Sequence, residues 1–99
     1  MDMYFYNTGN KQHYKILARY FDDVMLLETK RHHYIVALWV ETTDEDFFMG
    51  EWGSGHYWMD DFESAKNDFL EIAYTTYKED NAWMDLISKE EFNAIYEEA

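Results

Sequence analysis

The sequence predicts an α+β domain: a small antiparallel sheet of three to four strands covered by about three helices. Three observations predict it. Residues 34–41 (YIVALWVE) form an apolar run rich in β-branched and aromatic side chains, as a strand buried on both faces does. From residue 60 onward the apolar spacing switches to a helical period. Proline is absent, and the four glycines sit at residue 9 and at residues 50, 53 and 55, so no linker divides the 99 residues. Residues 1–99 therefore read as one acidic α+β domain, and a chain of this length buries roughly two-thirds of the surface it exposes when unfolded.

The elements follow in order. Residues 10–22 place Tyr14, Leu17, Ala18 and Phe21 at i, i+3, i+4 and i+7, with Lys11, Lys15 and Arg19 between them. That is one face of an amphipathic helix. Alternation also fits part of residues 14–21, so a strand is the competing reading there. Residues 24–29 and 34–41 read as a β-hairpin around polar residues 30–33, its second strand central. An acidic loop, residues 42–46, leads to a strand at 47–52. The Gly53-Ser54-Gly55 triplet reads as a turn into a fourth strand at 56–59.

From Asp60 or Asp61 to about residue 78, Phe62, Ala65, Phe69, Ile72, Ala73, Thr76 and Tyr77 share one helical face. The two aspartates sit where acids favour a helix start. Ser88 and Glu91 match a capping box, and Phe92, Ile95 and Tyr96 give the last helix its apolar stripe. Between the helices, Trp83 and Leu86 are expected to pack back on the core.

Composition excludes several classes. Aromatics make up 20% and hydrophobic residues 47% of the chain, unlike a disordered segment. There is no cysteine, hence no disulfide, thiolate nucleophile or cysteine zinc site. No apolar run is long enough for a membrane helix, and the N-terminal MDMYFYNTGN lacks the regions of a signal peptide. A cytoplasmic location in a bacterial host cell is the expectation.

Charge is the most informative feature. The net charge is −13, yet residues 1–40 hold four acids and five bases, for +1, while residues 41–99 hold seventeen acids and three bases, for −14. Such a field repels nucleic acid and anionic membranes, whose binding depends on Lys and Arg. It attracts basic protein surfaces and speeds encounter with them. The candidate partner-binding residues are therefore Asp44, Glu45, Asp46, Glu51, Asp60, Asp61, Glu63, Asp68 and Glu71, with Trp52 and Trp58 as aromatic anchors. Carboxylates spaced a few ångströms apart resemble the line of charge on DNA, which carries one phosphate charge per roughly 1.7 Å of axis.

Catalytic and metal chemistry find little in the sequence. His32 and His33 are neighbours, which point to opposite faces of a strand, and no HExxH, EF-hand or zinc-ribbon spacing is present. Ser54 is not in a GxSxG elbow, and the glycines form no phosphate loop. No cofactor, metal or enzymatic activity is expected.

The succession of YIVA, WGSGHYWMDDFESAKNDF and LISKEEFNAIY resembles small acidic proteins carried by phages and mobile elements of Firmicutes, a group that includes anti-CRISPR inhibitors and antirestriction DNA mimics. The resemblance spans roughly residues 10–97 at the level of fold. It implies an inhibitor that occupies the basic nucleic-acid channel of a host defence nuclease, such as a CRISPR effector. The other expectation is a non-catalytic docking or homodimerising module whose charge serves solubility.

Overall fold

The computed structural model describes residues 3–44, 46 and 48–97. Its strands are β1 (Tyr4–Asn7), β2 (Gln12–Tyr20), β3 (Val24–Glu28), β4 (Tyr34–Thr42) and β5 (Met49–Trp58), followed by the helices α1 (Phe62–Asp80) and α2 (Lys89–Glu97). The strands form a closed barrel in chain order. Consecutive strands are antiparallel, and β1 meets β5 in parallel. Parity requires this, because the first and fifth strands of an up-and-down series point the same way. The closure is short: Tyr6 pairs with Met49 and Asn7 with Gly50, and Tyr6 N–H and Thr8 N–H donate to the carbonyls of Phe48 and Gly50 at 2.8 Å. Beyond Gly50, β5 pairs with β4 alone, so closure covers only the start of that strand.

Two cores result from the alternation of side chains. Phe5, Ile16, Met25, Leu27, Ile35, Ala37 and Val40 fill the barrel, with Tyr14, Phe48 and Trp52 packed against them. Val24, Leu26 and Val36 face outward, where Ala65, Phe69, Leu70 and Ala73 of α1 and Phe92 of α2 cover them. β3 and β4 thus bury both faces, as their near-continuous apolar sequences require. Asp61 caps α1, accepting from Ser64 N–H at 3.0 Å. Ser88 Oγ accepts from Glu91 N–H at 3.2 Å and so caps α2.

This architecture corrects the predicted one. It is a five-stranded closed barrel with two helices, not a sheet of three to four strands under three helices. Within the segment at 10–22, Gln12–Tyr20 is a strand and not a helix, and what disguised it is a β-bulge. Ile16 pairs with Leu27 and Ala18 with Leu26, leaving Leu17 as the extra residue. Tyr14 and Ile16 therefore face the barrel interior while Leu17 and Ala18 both face the helices, which imitates helical spacing.

The Gly-Ser-Gly triplet is not a turn. It lies inside β5, where Ser54 pairs with Leu38 and Gly55 with Ala37. The two strands predicted at 47–52 and 56–59 are one. Aromatic rings lie close to both glycines. A Cβ on Gly53 would stand 3.4 Å from Trp39 Cβ, and one on Gly55 would stand 3.2 Å from the Tyr57 ring. Trp83 and Leu86 do not pack on the core. Trp83 is 81% exposed and Leu86 39%. Among the described residues, no helix is long and apolar enough to cross a membrane.

Candidate functional site: a tryptophan between two acidic grooves

Trp39 is carried outward by an irregularity in β4. Along β4, Ile35 and Ala37 point into the barrel, but so does Val40. The alternation is therefore broken, and Leu38 and Trp39 both face outward. Trp39 accomplishes this with a left-handed backbone, φ 52. A bulky residue rarely adopts that region, and such strain gathers at functional sites. The indole is 75% exposed and lies over Gly53 of β5.

A groove opens on each side of this ring. The first, about 340 Å³, is lined by Trp39, Glu41, Glu51, Trp52 and Gly53. Glu41 and Glu51 are direct cross-strand partners. Their Cβ atoms are therefore about 5 Å apart on one face, a like-charged pairing that opposes the fold. Glu51 also reaches the β1–β2 turn, where its carboxylate stands beside Gly9. The second groove, about 270 Å³, is lined by Asp23, Val24, Leu38, Trp39, Ile72, Thr76 and Glu79. Burial raises the Asp23 carboxyl above its ordinary pKa, and the charges of Asp22 and Asp80 add to the rise. Asp80 in turn accepts from the Tyr20 hydroxyl at 3.4 Å. Burial, then Asp80, push Tyr20 up to about 12. Carboxylates from the β2–β3 turn, β4, β5 and the end of α1 thus surround one exposed indole.

The residues singled out in the sequence are placed differently. Asp68 is engaged inside the fold: its Oδ2 lies 2.6 Å from His56 Nδ1 and accepts from Trp58 Nε1 at 3.2 Å. Trp58 is half-buried by the same contact. Trp52 is half-buried too, edge-on to Tyr14 at 5.2 Å between ring centroids, with Nε1 donating to the Tyr57 hydroxyl at 3.3 Å. Glu71 pairs with Lys89, which holds its carboxyl below the ordinary value. The bonds from Ser64 lower Asp61 likewise. Asp44 Oδ1 accepts from Phe48 N–H and Met49 N–H, each at 2.9 Å, and so shapes the β4–β5 loop. Asp46, Asp60 and Glu63 are exposed, and Glu45 lies outside the described residues.

β5 separates these acids: nine residues at about 3.3 Å each put Asp60 roughly 30 Å along the chain from Glu51. Glu51 and Trp52 are the members of the set that meet at Trp39. Trp39 itself, with Asp23, Glu41 and Glu79, lay outside it. The findable signal was the strand register: once Glu41 is paired with Glu51, Trp39 falls opposite Gly53, an aromatic–glycine pairing.

Bases gather elsewhere. Lys15, Lys30, Arg31 and three of the four histidines (His13, His32 and His33) line two adjoining grooves where β2 begins and β3 turns into β4. Trp39 lies five residues along β4 from Tyr34, about 17 Å away at strand rise. Glu28 lines one of these grooves too, and the other five of the eight Lys and Arg residues lie outside them. Among the described residues, no three His, Asp or Glu side chains form a group that could hold a metal.

In comparisons with known proteins, no family model, no curated protein and no solved structure matches the chain. The resemblance drawn from the sequence gains no support from them.

Proposed function

We propose that this protein is a non-enzymatic binding module that docks on a basic protein surface, of the kind nucleic-acid enzymes present to their substrates, and blocks it. The observation that carries the reading is the exposed Trp39 ring, with Glu41 and Glu51 in the groove on one side and Asp23 and Glu79 in the groove on the other. Interfaces draw most of their energy from such central aromatics, and surrounding charge sets the encounter rate. The net charge of −13 selects a cationic partner and opposes nucleic acid. The resemblance to phage and mobile-element proteins suggests a CRISPR effector or restriction nuclease of the bacterial host as the target.

The test is DNA cleavage by guide-loaded CRISPR effectors and by restriction nucleases, with the chain present. At least one nuclease should be inhibited. Inhibition should weaken steeply as salt shortens the Debye length from about 10 Å at 0.1 M. It should disappear in the variant Asp23→Asn, Glu41→Gln, Glu51→Gln, Glu79→Gln. Inhibition that survives neutralisation and high salt, or no inhibition of any nuclease, refutes the reading.

A second reading has its own observation. Trp83, Met84 and Leu86 are exposed apolar side chains within one four-residue stretch between the helices, which suits docking to a second copy. Sedimentation across a concentration series discriminates: a dimer abolished by Trp83→Ser supports this module, and a monomer throughout excludes it.

A further inference from the structure

We infer that the groove between Trp39 and Trp52 is a receptor for a single arginine side chain of the partner. The inference rests on the basic-surface reading above and assigns its chemistry. Four features of the groove point to a guanidinium. Two tryptophans line it, and Trp39 is largely exposed and lies close to Gly53 of the neighbouring strand. Glu41 follows Trp39 by two residues on the same outward face, and Glu51 stands directly across from it. Their Cβ atoms are about 5 Å apart, so a planar fork with donors on two edges can reach for both carboxylates at once. A cation seated between like charges carried on facing strand positions is attracted by both.

Arginine fits these features better than lysine. The guanidinium is planar, stacks on an indole face, is weakly hydrated and offers donors along two edges. An ammonium is a compact, strongly hydrated charge and satisfies one carboxylate at a time. A metal ion has no use for the indoles, and two carboxylates alone leave most of its coordination to water.

The experiment is NMR titration of the full chain with N-acetylarginine methylamide and, in parallel, its lysine counterpart. Saturable shifts are expected at the indole N–H of Trp39 and Trp52 and at the amides of Glu41 and Glu51. Arginine should bind more tightly than lysine. Both Trp39→Ala and the surface variant Glu41→Gln, Glu51→Gln should weaken binding by at least about tenfold, which corresponds to about 1.4 kcal/mol. Trp83→Ala should leave it unchanged, and an unchanged amide spectrum away from the groove confirms that each variant is folded.

Shifts spread evenly over the acids of both helices, equal for arginine and lysine and indifferent to Trp39→Ala, would overturn the receptor. The two levels fail separately. Arginine bound in the groove without inhibition of any nuclease leaves the receptor standing and removes the inhibitor. Inhibition that is lost on neutralising Asp23 and Glu79 yet persists in both groove variants removes the receptor and leaves the inhibitor.

Discussion

Replacing Trp39 by glycine should leave a more stable protein than replacing it by alanine, the reverse of what a strand interior ordinarily gives. Both substitutions delete the same indole, so the lost ring contacts cancel in the comparison. What differs is the backbone at φ 52. Holding a residue with a Cβ in the left-handed region costs about 1–2 kcal/mol. Glycine escapes that cost but loses more chain entropy on folding, roughly 0.5–1 kcal/mol relative to alanine. At the centres of the two ranges the balance favours Trp39→Gly by about 0.75 kcal/mol. For a domain of this size that is a difference of about 3–6 °C in Tm. Urea unfolding followed by circular dichroism checks it, with the midpoints shifted and m unchanged. Alanine equal to or above glycine would show that Trp39 is not held in a strained conformation, and that the broken alternation of β4 has another origin.

Three further outcomes follow from the same surface and its supports. Tyr20 keeps its proton longer in the folded chain than in the unfolded one, so its stabilising contribution is present below pH 10 and is lost as pH climbs from 10 to about 12. Unfolding free energy measured across this window should fall in the parent and fall less in Tyr20→Phe. Asp23 also has a raised pKa, so the native state disfavours its charge, and stability from this group grows as pH drops through its native pKa toward the ordinary value of about 4. Asp23→Asn should accordingly be more stable than the parent at pH 7, with the gain fading in acid, as thermal scans at both pH values would register. Asp68→Ala removes the acceptor of Trp58 Nε1 and the partner of His56, costing about 1–3 kcal/mol. A blue-to-red change in tryptophan emission should accompany the lower denaturation midpoint.

The parts of the fold that were legible in the sequence are those where one rule acts alone. The central strand of residues 34–41 and the two helices declared themselves because burial on both faces, or on one helical stripe, writes an uninterrupted pattern. Legibility failed where two rules overlap. In β2 the bulge at Leu17 shifts the side-chain phase midway along the strand, so the apolar residues fall at i, i+3 and i+4 as in a helix. In β5 the glycines that ordinarily mark a turn lie instead beneath rings, Gly53 under Trp39 of the partner strand and Gly55 beside Tyr57 of its own strand. Local composition cannot distinguish these uses; only the partner strand does.

The site was less legible than the fold, and for a related reason. A run of acids along the chain records how many carboxylates exist, not which of them are already engaged. Asp44, Asp61, Asp68 and Glu71 each meet a donor within the fold: loop amides, a helix start, an imidazole with an indole, and a lysine. Such carboxylates are less available to an outside cation, because a new partner must compete with a bond already formed. The acids around Trp39 come from four segments separated by up to fifty-six residues, Asp23 to Glu79, and no window along the sequence contains them together. What joins them is the barrel. It brings β4 beside β5 and folds α1 back along β3 and β4 to the β2–β3 turn, and it turns Glu41 toward Glu51 where separation would have been more stable. A fold that retains both a left-handed tryptophan and a facing pair of like charges at one place gives up stability there twice. A cationic partner would relieve the facing pair of like charges, a cost that solubility does not explain, because scattered carboxylates would provide solubility without it.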